Sequence, residues 1–250
     1  MPAALETMGL KKRFGDLVAI EDVSFRLETG ARHALIGPNG AGKTTFVNLL
    51  TGVLAPTAGR VLLDGADITD LPPARRVTMG LARTFQINQL FAGLTPLETL
   101  AITVSERLGG GRDWWRPLGA NPATVEEATS IAQLFYLTDV LDARTATLPY
   151  GKQRLLEVAV ALACKPRVLL LDEPAAGVPE SERREILSAV SALPRTVSVL
   201  LIEHDMDVVF SFAERISVLV NGSLLTEGLA AEVADDPRVR AVYLGEGADA

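Results

Sequence analysis

Three features of the sequence predict an α/β fold. In the second half, Val168-Leu169-Leu170-Leu171 and Val197 to Ile202 are short, largely apolar runs on either side of a helical segment, Ser181 to Leu193. Strands buried on both faces of a parallel sheet read this way, and the strand–helix–strand order places two of them side by side. Earlier, His33-Ala34-Leu35-Ile36 forms another such strand, which runs through a glycine-rich turn into helix at Thr45 to Leu50. Near the start, Met8 to Leu27 alternates short apolar stretches with turns such as Phe14-Gly15-Asp16, and Val61-Leu62-Leu63 meets Asp64-Gly65. That texture predicts a small antiparallel sheet beside the parallel one.

From about Pro96 the pattern turns helical. Leu97 to Ala101 and Val125 to Leu137 predict helices, the second with Ile131, Leu134 and Phe135 as its apolar positions. Between them Gly109 to Pro117 is rich in breakers and predicts a loop. Gln153 to Ala163 predicts a further helix. From Glu232 the tail is mixed, with fraying expected over Gly245 to Ala250. No internal repeat or low-complexity tract interrupts the chain.

Composition narrows the classes. With 250 residues, 48% of them hydrophobic, the chain has enough apolar material for one large domain, which argues against disorder. The net charge of −7 argues against a protein held to nucleic acid by a basic surface. One cysteine, Cys164, excludes an internal disulfide framework; within Ala161-Leu162-Ala163-Cys164 it reads as a small core residue. Met1 to Thr7 lacks a basic region followed by a long apolar stretch, so no signal peptide is expected. No uncharged apolar run approaches the roughly 20 residues that span a bilayer, so a soluble or peripheral protein is expected.

The chemistry concentrates at Gly37-Pro38-Asn39-Gly40-Ala41-Gly42-Lys43-Thr44-Thr45. Strand, glycine-rich loop and helix N-terminus, in that order, aim backbone N–H groups at one point, and the helix dipole adds positive potential there. Glycines allow close backbone approach to phosphates. Lys43 can reach the β- and γ-phosphates of ATP, and the Thr44 hydroxyl can ligate Mg²⁺. Leu171-Asp172-Glu173 ends a buried strand with two adjacent carboxylates, at the sheet edge where ligands of open α/β proteins collect. Asp172 is placed to hold Mg²⁺ through water, and Glu173 to orient and deprotonate an attacking water. His204 follows the next strand within Glu203-His204-Asp205, which favours a contact to the γ-phosphate; His33 reads as structural. The fold class that results is α/β: a phosphate-loop NTPase core with a parallel sheet, an N-terminal antiparallel β subdomain and an inserted α-helical subdomain.

These segments, with Arg83-Thr84-Phe85-Gln86 and Leu148-Pro149-Tyr150-Gly151-Lys152-Gln153-Arg154, resemble an ATP-binding cassette ATPase, the nucleotide-hydrolysing subunit of a transporter, over essentially the whole chain. The resemblance implies roles. Gln86 senses Mg²⁺ and the water and links the site to the helical subdomain. Phe14 stacks on adenine with Val18 nearby. The signature segment, with Tyr150, Gly151, Lys152 and Gln153, contacts the ATP held by the opposite subunit. Ala175-Ala176-Gly177-Val178 crosses the dimer interface. The resemblance also implies a core over 5–86 and 160–228, a helical subdomain over 87–159 and a C-terminal tail over 229–250.

Ala82 to Gln86, the Tyr-Gly signature, Asp172 to Gly177 and Asp236 to Gly245 are similar to ATPases of branched-chain or hydrophobic amino-acid uptake, with urea or short-amide importers as close relatives. Such systems imply a second, different ATPase chain, two membrane permeases, an extracytoplasmic binding protein, and a peripheral place on the cytoplasmic face of the inner (plasma) membrane. A homodimer in isolation and a non-transport member of the superfamily are alternatives. Trp114-Trp115 reads either as a cap on the helical subdomain's core or as a contact patch for the permease or lipid headgroups. Two departures stand out: Pro149 replaces the usual Ser of the signature, and Val178-Pro179-Glu180 is shorter than the commoner pattern. Two unequal composite ATP sites are the expectation from Pro149.

Overall fold

The computed structural model describes residues 3–84, 90–110 and 121–244. Strands β1 (Ala3–Phe14) and β2 (Leu17–Glu28) open the chain as an antiparallel hairpin around Gly15-Asp16. Along the second half of β2, Val23, Phe25 and Leu27 are buried while the residues between them face outward, the two-residue period of a half-buried strand. The short strand β3 (Arg32–Ile36) is buried throughout and leads into helix α1 (Lys43–Thr51). Strands β4 (Ala58–Leu63) and β5 (Ala66–Asp67) then return to the hairpin, completing a four-stranded antiparallel sheet in the order β2-β1-β4-β5.

The second sheet has six strands. Helix α2 (Pro73–Thr78) precedes its edge strand β6 (Leu81–Arg83), and three helices follow: α3 (Pro96–Arg107), α4 (Pro122–Leu134) and α5 (Tyr150–Ala163). Then come β7 (Val168–Asp172), α6 (Glu180–Ser191), β8 (Ser198–Ile202), α7 (Met206–Phe212), β9 (Arg215–Val220), β10 (Ser223–Leu229), α8 (Ala230–Asp235) and α9 (Pro237–Leu244). The order β10-β9-β3-β8-β7-β6 is parallel except for the β9–β10 hairpin.

The parallel sheet divides the core in two. Leu169 and Leu171 of β7 join α3, α4 and α5 on one face, with Leu100, Val104, Phe135, Leu155 and Leu156. Val168 and Leu170, the alternate residues, face α1 and the antiparallel sheet, packing with Phe46, Leu49, Leu50, Leu5 and Phe25. This second cluster seats α1 between two sheets and so sets where its N-terminus points.

The other end of α1 is held by one buried arginine. Arg76 donates to the carbonyls of Leu49 (2.8 Å) and Leu50 (2.7 Å) in the last turn of α1, and to Leu71 and Thr69 beyond it. The Leu49 carbonyl also accepts from the Gly52 N–H at 3.3 Å, and a cation at these last carbonyls complements the negative end of the helix dipole. His33, on β3, is buried, bonds Ser217 at 2.8 Å and packs edge-on against Phe25. Burial depresses its pKa to about 4, so it stays neutral at ordinary pH, the structural part its position predicted.

Several expectations needed correction. Of the apolar positions predicted for 125–137, Phe135 is buried just past the end of α4 and Ile131 packs against the same cluster, but Leu134 is exposed, and the helix itself buries Thr124, Ala128 and Ala132. Small residues let α4 approach α3, a spacing that a search for large apolar side chains overlooks. The helix predicted from Gln153 starts at Tyr150, because Pro149 suits the position before a first turn. It runs unbroken to Ala163. The tail forms α8 and α9, with the Glu232 carboxylate capping the Leu229 N–H at 2.8 Å and Val233 and Val239 buried. Cys164 ends α5 half-buried rather than in the core. Gln86, Trp114, Trp115 and 245–250 lie outside the described residues.

Replacing Arg76 with Met removes four hydrogen bonds to backbone carbonyls, two of them buried. The expected cost is about 3 kcal/mol or more, read as a lowered midpoint in chemical denaturation. A midpoint equal to wild type would show that the clamp on α1 contributes nothing.

Candidate functional site

The turn between β3 and α1 is built to leave N–H groups unpaired. Gly42, the residue that starts α1, provides no side-chain cap, and no acidic residue stands in the first turn. Its φ of 102° lies in the left-handed region, and a Cβ there would come within 2.8 Å of the Ala19 carbonyl oxygen on β2. Glycine is therefore required twice over at this position, by conformation and by space. Neighbouring strands bracket the loop: Gly222, in the β9–β10 turn, donates to the Ala41 carbonyl at 2.9 Å.

A cavity of about 270 Å³ opens on this turn, lined by Asn39, Gly40, Ala41, Gly42, Lys43, Thr44, Thr45 and Glu173. Lys43 folds over the loop and donates to the carbonyls of Gly37 and Pro38 (3.1 Å). Burial lowers its pKa, against which the nearby Glu173 and Asp172 carboxylates act. The donor set is one lysine, free helix N–H groups and two threonine hydroxyls, facing a carboxylate. It fits polyphosphate, and the hydroxyls with Asp172 fit a hard cation.

The two carboxylates occupy the end of β7. Asp172 is almost fully buried and accepts from Arg83 at 2.7 Å. Glu173 lies just beyond the strand, its N–H donating to Ile202 O at 2.9 Å. Its φ of 46° is uncommon for a side chain of its size; strain of this kind costs about 1–3 kcal/mol and is found at functional sites. The turn points the carboxylate at the loop cavity and at His204, whose Nδ1 lies 3.2 Å from Glu173 Oε1. The structure thus brings together Lys43, Thr44, Thr45, Asp172, Glu173 and His204.

Other sequence-predicted residues sit elsewhere. Val18 precedes Ala19 and Ile20, which wall the loop at Gly42. Phe14 is half-exposed at the hairpin end, with the Lys12 ammonium 4.9 Å from its ring centre. Tyr150, Gly151, Lys152 and Gln153 form the first turn of α5 and line no part of the loop cavity. There Lys152 donates to Tyr136 O and to Asp139 at 3.1 Å, and Gln153 to Leu148 O at 3.0 Å. The two regions meet through the turn after Glu173: a Cβ on Gly177 would lie 3.5 Å from the Tyr150 ring.

Sequence reasoning missed four participants. Glu182 accepts from the Gly151 N–H at 3.0 Å, giving α5 the cap that Pro149 does not supply. Glu203 is buried and accepts from the His204 N–H at 3.1 Å; burial pushes its carboxyl up. Arg83 and Asn48 bond at 2.7 Å beside Asp172. Glu182 and Asn48 carry no local pattern, and Arg83 and Glu203 lie in quoted segments that gave them no role. Glu182, Arg83 and Asn48 act through residues far away in the chain, although a charged residue within a buried strand end, as at Arg83 and Glu203, is a usable signal.

The profile of the ABC transporter family matches residues 20–176. The chain belongs to the ABC transporter family. A profile for the branched-chain amino acid ATP-binding cassette transporter also matches residues 223–249. The chain is 38% identical to the high-affinity branched-chain amino acid transport ATP-binding protein BraF of Pseudomonas aeruginosa, covering 97% of this chain and 98% of that one. It is 37% identical to a probable branched-chain amino acid transport ATP-binding protein, LivG, of Archaeoglobus fulgidus, over 96% and 95%. Among solved structures, the ADP conformation of an ATP-binding cassette of an ABC transporter superposes with a TM-score of 0.85 at 31% identity, covering 98% and 100%. The cassette therefore has the phosphate-loop NTPase fold, binds nucleotide and hydrolyses ATP. Among the described residues, no helix is long and apolar enough to cross a membrane.

Proposed function

We propose that this cassette energises a membrane importer for branched-chain or other hydrophobic amino acids. The observation that carries the reading is the meeting of the α1 N-terminus, Lys43 and Glu173 around one cavity, with His204 bonded to Glu173, in a chain whose full-length relatives are named for branched-chain amino acid transport. The polyphosphate of ATP lies along residues 37–45, with Lys43 neutralising its outer phosphates. Phe14 and Val18 take the adenine. Thr44, Asp172 and Gln86 hold Mg²⁺, which supplies charge neutralisation on the phosphates when bound. Glu173 is the general base toward water, and His204, held by Glu173 and Glu203, contacts the γ-phosphate.

The working assembly in this proposal is a head-to-tail pair with a second ATPase subunit. It docks on two permeases at the cytoplasmic face of the membrane and receives solute from an extracytoplasmic binding protein. Residues 5–86 and 160–228 act as the core, 87–159 as the helical subdomain and 229–250 as the tail. The first turn of α5 completes the partner's site. ATP favours the closed pair and loss of the γ-phosphate favours opening. Pro149 has neither hydroxyl nor N–H, so the site this chain completes is the weaker of two.

In the complex with partner ATPase and permeases, Glu173→Gln is expected to lower turnover at its site by about 10²–10⁴-fold while ATP still binds. Turnover that persists would remove Glu173 from the base role. In the same complex, Pro149→Ser is expected to raise turnover. Unchanged turnover, with both sites equally active in the wild type, would end the idea of unequal sites.

A further inference from the structure

We infer that Arg83 is a positioning residue for the cation site, a clamp that fixes Asp172 relative to α1. This rests on the reading of Asp172 as the carboxylate that holds Mg²⁺. Arg83 ends the edge strand β6, with Leu170 of β7 as its register partner. Its guanidinium spans two elements: one terminal nitrogen donates to Asp172 Oδ2 at 2.7 Å, the other to Asn48 Oδ1 at 2.7 Å. Asn48 lies on α1, the same helix whose first turn carries Lys43 and Thr44. One planar group therefore joins the strand that carries the acidic cation ligand to the helix that carries the hydroxyl ligand.

Both members of the ion pair are shielded, with side-chain exposures of 9% for Arg83 and 7% for Asp172. Arg83 also lines a largely apolar cavity with Val77, Leu90, Val160 and Cys164, into which Glu157 contributes the one carboxylate. Exclusion of water strengthens the charge-assisted bond and narrows the orientations open to the carboxylate. The Asp172 N–H is directed at the Thr84 hydroxyl at 3.3 Å, so the residue following Arg83 restrains the backbone of the same aspartate. With Oδ2 taken by the guanidinium, the other carboxylate oxygen is the cation's share. Groups that orient metal ligands in this way typically change metal affinity when removed, without touching the metal.

Lysine keeps the charge of Arg83 but cannot bridge two acceptors with one rigid plane. The test is ATP binding to the purified full chain by titration calorimetry, with Mg²⁺ and with EDTA, for wild type, Arg83→Lys, Asn48→Ala and Asp172→Asn. Arg83→Lys is expected to reduce the Mg²⁺-dependent gain in ATP affinity by about tenfold or more, with affinity in EDTA unchanged; Asn48→Ala shifts it the same way by less. An equal loss with and without Mg²⁺ would make Arg83 a general structural residue and overturn the inference. So would a wild-type Mg²⁺ response in Arg83→Lys and Asn48→Ala while Asp172→Asn loses it; that result leaves the reading of Asp172 intact. If Asp172→Asn itself keeps the wild-type Mg²⁺ response, the reading of Asp172 fails and the inference with it.

Discussion

The positive N-terminus of α1 and the Lys43 ammonium stand against the carboxylates of Asp172 and Glu173 at one edge of the parallel sheet. Everything else in the site depends on keeping these opposite charges close without letting them collapse onto each other. Asp172 is drawn away by Arg83, and Lys43 is parked on the carbonyls of its own loop. Glu173 is turned toward the loop cavity by a left-handed backbone and bonded to His204. Polyphosphate and a divalent cation entering between the two sets satisfy both, because each brings the charge that the opposing protein groups lack.

Rigid packing maintains that opposition. Alternate residues of β7 face opposite clusters, so the strand that ends in the carboxylates is gripped from both sides. Helix α1 is seated between two sheets, and Arg76 satisfies its last carbonyls. Two buried arginines thus brace the site: Arg76 at the far end of α1, and Arg83 between α1 and β7. Burying a guanidinium is costly unless its donors are met; Nε and both terminal nitrogens of Arg76, and both terminal nitrogens of Arg83, donate to groups whose position matters to the site.

Local chemistry explains how far the sequence could be read. The phosphate loop, the buried strands 33–36, 168–171 and 197–202, and the carboxylate pair are contiguous patterns, each complete within about ten residues. The grouping of Lys43, Glu173 and His204 then follows from strand order in a doubly wound sheet. Most of the residues that sequence reasoning missed act over long separations. Arg83 and Asp172 are 89 residues apart, and Gly151 and Glu182 are 31 apart. The α4 stripe was read only in part, Ile131 and Phe135 but not Ala128 and Ala132, because small buried residues carry little hydrophobic signal. The β9–β10 hairpin went unread, although Asn221-Gly222 between apolar runs is a strong short-range turn signal.

The most direct test of the account is equilibrium binding of ATP to the purified chain, comparing wild type with Lys43→Met. If the phosphates lie at the α1 N-terminus under Lys43, the substitution removes charge-assisted bonds of about 1.5–3 kcal/mol, and affinity falls by about 10- to 150-fold. Equal ATP affinity in the two proteins would mean that the phosphates bind elsewhere, and would contradict the assignment of this site.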